Sequence, residues 1–211
     1  MPREPSPYHQ QVAARNRQAI LEAAGELFLE TGYDRTSLAR VAEQAGVSRA
    51  TLFKQFPTKA ELFEAVVLTA GSASTPEVAV PPVGDLYAGL VILGTAYVEL
   101  LSRPRMENLI RTLIAASLEF PELRGRTFDF GTFPVFVALD RYLRAETEAG
   151  FARVADPGTA ASQFLGMIST VVFWPRLIHG GWSLGPVRTR EVVEEAARTM
   201  AARYAGPEQP A

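Results

Sequence analysis

The sequence predicts an all-α protein in two parts: an N-terminal three-helix helix-turn-helix domain and a C-terminal helical bundle. Three observations predict it. Apolar residues recur at helical spacing along most of the chain, with almost no strand-like alternation. Capping residues and glycine or proline stops punctuate those runs. Residues 71–84, GSASTPEVAVPPVG, carry three prolines and no helical period, so they separate the two parts. The expected domains are residues 14–73 and residues 84–206.

Residues 1–10 carry three prolines and are expected to form a disordered arm. A first helix follows over residues 14–30, where Ile20, Ala24, Leu27 and Phe28 form one apolar stripe and Gly32 supplies the C-terminal stop. Thr36 or Ser37 caps a second helix that carries Leu38, Val41 and Ala42 inward and stops near Gly46. Ser48 caps a third helix reaching Phe53. Thr58 and Glu61, three apart, form a capping box that opens a fourth helix bearing Leu62, Phe63, Val66 and Val67.

Beyond the linker, helices are expected at residues 85–102, 105–120 and 132–149. Another starts at Asp156-Pro157 and runs toward His179, and a last one covers 189–204.

The apolar fraction is 47% and the charged fraction 21%, ordinary for a water-soluble fold. Cysteine is absent, which excludes disulfides, thiolate metal sites and thiol nucleophiles. The two histidines, His9 and His179, are too few for most histidine-based metal centres, so no metal and no cofactor are expected. The N-terminus has no apolar signal core, and the apolar runs at 88–101 and 164–175 fall short of the ~18 residues of a membrane span. A cytoplasmic protein with no membrane partner is expected. Enzymatic function is not: there is no histidine–carboxylate cluster, no Glu-x-x-His pair and no glycine-rich phosphate loop.

The chain has a net charge of −2, yet residues 35–59 hold five cations (Arg35, Arg40, Arg49, Lys54 and Lys59) against one anion, Glu43. That local excess falls on residues 36–56, TSLARVAEQAGVSRATLFKQF, which have the spacing of a helix-turn-helix. Ala42 is small where two helices cross. Gly46 tolerates the turn, and Val47 wedges the helices apart. The second helix of the pair presents Ser48, Arg49, Ala50, Thr51 and Lys54 outward. Thr36 and Ser37, at a helix N-terminus, are expected to hold phosphate. Arg49 and Lys54 are long enough to reach guanine edges, and Ala50 and Thr51 are small enough for close approach.

The stretch from Ile20 to Leu62 resembles the N-terminal domain of TetR-family regulators. The resemblance rests on Phe28, Gly32-Tyr33, Thr36-Ser37, Ala45-Gly46-Val47-Ser48, Thr51-Leu52-Phe53, Phe56, Lys59 and Glu61-Leu62, about a fifth of the chain. It implies an all-α homodimer that binds a double-stranded DNA operator and carries a variable ligand-binding domain. It also implies that Lys59 touches the DNA backbone. At Phe53 the family commonly has tyrosine, whose hydroxyl contacts a phosphate. Phe53 lacks that hydroxyl, so its ring would contact sugar or a thymine methyl group instead.

The second domain is expected to bind a small-molecule effector. Phe128, Phe133 and Phe136 surround Gly131 and Pro134, and irregular backbone with apolar lining suits a pocket. Tyr97 and Trp174 would add to its walls, with Asn108, Arg111 and His179 as polar anchors. A dimer seam is expected at Phe164 and Ile168 on one helix and Val193, Ala197, Met200 and Ala201 on the last. The alternative is burial of these side chains within one subunit. The expected function is a repressor released from a palindromic operator by an apolar or amphipathic small molecule. An activator of the same fold, or a protein-binding regulator that has lost DNA binding, are the alternatives.

Overall fold

The capping and stop residues act where the sequence puts them. The computed structural model describes residues 7–72, 78–103, 105–123 and 134–206. The described residues of 1–70 and 108–128 form one compact unit, and those of 71–107 and 129–211 form a second. The first unit thus includes a stretch from well beyond the linker. Among the described residues the only strand-like pairing is an isolated bridge between Ala152 and Ala205.

The first unit begins with α1 (Pro7–Arg35), broken inside by Gly32 at φ 80°. It continues through α2 (Leu38–Gln44), α3 (Arg49–Gln55) and α4 (Lys59–Ser72). Ser37 Oγ accepts the Arg40 N–H (3.2 Å), Ser48 Oγ the Thr51 N–H (3.1 Å) and Thr58 Oγ1 the Glu61 N–H (3.1 Å), so each short helix starts on a satisfied donor. Ile20, Leu27, Phe28, Leu52, Leu62 and Phe63 are fully buried. Helix α1 starts earlier than expected: residues 7–10 are helical, because proline is tolerated in a helix's first turn. Helix α4 also runs into the expected linker, as far as Ser72.

The chain continues through α5 (Leu86–Leu101), α6 (Met106–Ser117) and a short 3-10 turn at Pro121–Leu123. It ends with α7 (Pro134–Glu148), α8 (Pro157–Val172), α9 (Trp174–Ile178) and α10 (Pro186–Tyr204). The helix expected to run unbroken to His179 stops at Val172, because Pro175 has no N–H to donate back to residue 171. In the second unit α5 packs against α7, α8 and α10.

Two glycines let α5 come that close. A Cβ on Gly94 would lie 2.8 Å from Val193 Cγ1 and 3.0 Å from Phe164 Cζ, and one on Gly89 would run into the Tyr142 ring. Tyr142 is fully buried, and its hydroxyl donates to the Asp85 carbonyl (2.8 Å) while lying 2.6 Å from Glu146 Oε1. Burial, then the neighbouring Glu146 carboxylate, pushes that hydroxyl's pKa upward. Gly84 N–H donates to the same Glu146 oxygen (3.0 Å), so α7 holds the start of α5.

The expected seam residues turn inward. Phe164, Ile168, Val193, Ala197 and Met200 are buried against α5, α8 and α10 of their own subunit, and Ala201 is half-buried beside them. These two helices must first close their own bundle, and their small and apolar positions do that. The outward face consists of other residues, among them Met167, Val171, Val192 and Thr199.

We expect Gly89→Ala to lower stability by ~1–3 kcal/mol through overpacking, although alanine is the better helix former by ~1 kcal/mol at an uncrowded site. Urea unfolding measures this. An unchanged or raised midpoint would show that Tyr142 yields.

Candidate nucleic-acid interface

The position of α3 follows from how α1 ends. The last carbonyls of a helix have no partner within it, and burying them bare is costly. Here side chains supply the donors. Thr36 Oγ1 donates to Gly32 O (2.7 Å) and lies 3.2 Å from Leu27 O, while Lys59 Nζ donates to Tyr33 O (2.9 Å) and Asp34 O (3.1 Å). Residues opening α2 and α4 therefore both bind the end of α1. Lys59 also lies over the Tyr33 ring, 4.3 Å from its centroid. Tyr33 packs edge-on against Phe63 and Phe120, and its hydroxyl donates to Glu122 Oε1 (3.3 Å). Burial lowers the pKa of the Lys59 ammonium, against the pull of Asp34 and Glu122. It raises that of the Tyr33 hydroxyl, with Glu122 adding to the rise.

Helix α3 is fixed at both ends. Its N-terminus has the Ser48 cap, and near its C-terminus Gln55 Nε2 donates to Ala13 O of α1 (3.3 Å). The Phe56 ring beyond it lies under the Arg17 guanidinium at 4.5 Å. Gly46, at φ 65°, makes the turn, and Val47 N–H donates to Ala42 O (3.0 Å). Leu52 and Phe56 are buried, whereas Arg49, Ala50, Phe53 and Lys54 are exposed. These four lie at spacings of one, four and five, so they share one outward face.

The residues nominated from sequence divide three ways. Ser48, Arg49, Ala50, Phe53 and Lys54 come together on the exposed side of α3, with Ser37 exposed at the start of α2 and Thr51 half-buried. Thr36 is corrected. It is 2% exposed and its hydroxyl serves the carbonyls of α1, so it is a packing residue and Ser37 takes the cap. Lys59 has an internal role that the sequence did not announce. Arg40, in the first turn of α2, is exposed as well and was not nominated; the local cation excess was its signal.

The residues nominated for the effector pocket are divided between the two units. Asn108 and Arg111 lie on the part of α6 that belongs to the first unit, where Arg111 Nη1 donates to Asn108 Oδ1 (3.4 Å). In the second unit Tyr97 is buried, Phe136 half-buried, and Trp174 and His179 exposed. Phe128 and Phe133 lie outside the described residues. The helix break at Phe173 turns Trp174 and His179 toward the surface. A cavity of about 280 Å³ in the second unit is lined instead by residues including Val98, Ser102, Val172, Arg176, Trp182 and Thr189. Arg176 there pairs with Glu107 at 3.3 Å.

Comparison with known proteins decides the family. Residues 20–66 match the model of bacterial regulatory proteins of the tetR family, and residues 88–206 match the C-terminal domain of AefR-like transcriptional repressors. The chain belongs to the TetR family. It is a DNA-binding transcriptional regulator with an N-terminal helix-turn-helix and a C-terminal helical domain.

The HTH-type transcriptional regulator YvkB of Bacillus subtilis is 28% identical over 149 residues, 71% of this chain and 77% of that protein. A TetR-family regulator from Pseudomonas syringae pv. tomato has a TM-score of 0.69 at 28% identity, covering 90% of this chain and 97% of its own. The flavonoid-responsive regulator FrrA has a TM-score of 0.71 at 25% identity, covering 93% of this chain and all 100% of its own. Among the described residues no single helix is long and apolar enough to cross a membrane.

Replacing Lys59 with leucine should cost ~1 kcal/mol of stability, because the part-buried Tyr33 carbonyl keeps only the Thr36 N–H (3.3 Å) while the exposed Asp34 carbonyl turns to water. Urea unfolding checks this. Salt titration of DNA binding separates the other role, since removing one phosphate contact lowers the slope by ~0.9.

Proposed function

We propose that this TetR-family chain is a homodimeric repressor in the cytoplasm. It binds a palindromic operator and leaves it when an apolar or amphipathic small molecule occupies the C-terminal unit. The observation that carries the reading is the outward face of α3, where Arg49, Ala50, Phe53 and Lys54 stand exposed on a helix held at both ends. Two such helices read one palindrome when they lie ~34–36 Å apart, one turn of the duplex, or a multiple of that. The C-terminal match to a repressor domain supports repression. The likeness to a flavonoid-responsive regulator supports a small, largely apolar effector. The 280 Å³ cavity suits an amphipathic one, because Val98, Val172 and Trp182 offer apolar surface beside Arg176, Ser102 and Thr189.

The dimer is assigned to the outward faces of α8 and α10. They border a groove of about 600 Å³ lined by residues including Met167, Val171, Val192, Ala196 and Thr199. Arg188–Glu191 (2.8 Å) and Arg198–Glu195 (2.9 Å) place both signs of charge along its rim. A two-fold axis sets such a face against itself, and a rim that carries both signs allows opposite charges to pair across it.

The repressor reading is tested by measuring effector affinity with and without saturating operator. A ligand that binds the DNA-free conformation about 100-fold more tightly supplies roughly 2.7 kcal/mol of coupling. Operator must then weaken ligand binding by the same factor. Equal affinities in the two conditions would defeat release by ligand.

The seam has its own test. Val171→Glu should yield folded monomers in sedimentation, since Val171 is 39% exposed in the single chain. Ala197→Glu buries a charge in the subunit core and should unfold it instead. A dimeric Val171→Glu variant would move the seam elsewhere.

A further inference from the structure

The half-exposed ring on α3 calls for a partner. Phe53 is 48% exposed, and no other large apolar side chain of α2 or α3 is exposed. Its exposure does not come from fraying, since the Ser48 cap and the Gln55–Ala13 bond hold the helix and Leu52 and Phe56 are buried beside it. Arg49 and Ala50 stand one turn before the ring and Lys54 next to it, all exposed. Water disfavours an apolar ring in this position, so whatever covers it on binding adds affinity.

The cations on either side bring the ring to an anionic surface, and the ring's chemistry narrows what it can touch there. A phenyl group has no donor for a phosphate oxygen or for a guanine or adenine edge. Seating it against those groups would strip them of water without replacing the hydrogen bonds. Two apolar surfaces remain on the duplex: the deoxyribose rings, alike at every position, and the C5 methyl of thymine on the floor of the major groove. Ala50, with only a methyl side chain, leaves room for the helix to approach that floor.

We propose that Phe53 reads thymine. Its ring covers the C5 methyl of one thymine in each half-site and makes a T·A pair there a requirement of the operator. This rests on the reading of the chain as an operator-binding dimer and adds the identity of one base pair that it recognises.

The test uses the full-length chain. Binding sites are selected from random duplex DNA, and each thymine of the selected site is then replaced in turn by deoxyuridine. That change keeps the pairing and the O4 acceptor and removes only the methyl group. Wild-type protein should lose about fourfold in affinity at one symmetric position when one half-site is changed, and about fifteenfold when both are. Phe53→Ala and Phe53→Asn should bind the thymine and uracil duplexes alike at that position. Both variants should keep the wild-type circular dichroism, because the ring is outside the core, and either one suffices.

Equal binding of thymine and uracil duplexes by wild-type protein overturns the proposal and leaves DNA recognition standing. So does a methyl effect that survives loss of the ring. Failure to select any sequence overturns the operator reading, and the thymine assignment falls with it.

Discussion

The whole N-terminal unit depends on how the C-terminal carbonyls of α1 are satisfied. Gly32 breaks the helix at positive φ, so carbonyls around the break need partners from outside the helix. Thr36 and Lys59 then bind them, at 2.7 Å to Gly32 O and at 2.9 Å and 3.1 Å to Tyr33 O and Asp34 O. One donor sits just before α2 and the other opens α4. The end of a single helix is therefore the point to which both are attached, and α3 is held between them. Removing a partner from a buried carbonyl costs more than the bond itself contributes, so these contacts set geometry as well as stability.

That arrangement explains why α3 can leave one side bare. A seven-residue helix has too little internal bonding to persist alone. Leu52 anchors its inner face, Ser48 caps its start, and Gln55 ties its last turn to α1. With order supplied from behind, the forward face is free to carry residues chosen for contact. The aromatic cluster of Phe28, Tyr33, Phe63 and Phe120 extends the same support to the turn after α6, because Phe120 and Glu122 both meet Tyr33.

Much of this was legible in the sequence, for a specific reason: caps and stops are local. Ser37, Gly46, Ser48 and Asp156 act within three or four residues of themselves, so their effect can be read from spacing. The outward face of α3 was legible as well, because helical periodicity separates Leu52 and Phe56 from Arg49 and Phe53. Contacts distant in sequence were not. Thr36 and Ser37 are equally good caps on paper, and only the carbonyls of α1 decide that Thr36 turns inward. Ala197 and Met200 have the small and apolar character of a seam, but periodicity cannot say whether an apolar stripe faces its own bundle or a second copy. Gly89 and Gly94 carried no signal until Tyr142, Phe164 and Val193 were seen against them. Periodicity was equally silent on which unit each nominated pocket residue joins: Asn108 falls in the first and Trp174 in the second.

Magnitudes connect the reading face to the proposed dimer. Phosphate contacts supply affinity without choosing a sequence, and they weaken as salt rises. Choice must come from base edges, where one good contact is worth ~1–3 kcal/mol. The exposed face of α3 carries four side chains, Arg49, Ala50, Phe53 and Lys54, and a seven-residue helix has little room for more. Two or three base contacts from one copy supply ~2–9 kcal/mol, which reaches the ~4–10 kcal/mol separating specific from non-specific sites only when each contact is strong. Doubling the contacts through a second copy brings the total into that range without enlarging the helix. A short reading face held at both ends therefore favours the palindrome and the dimer proposed above.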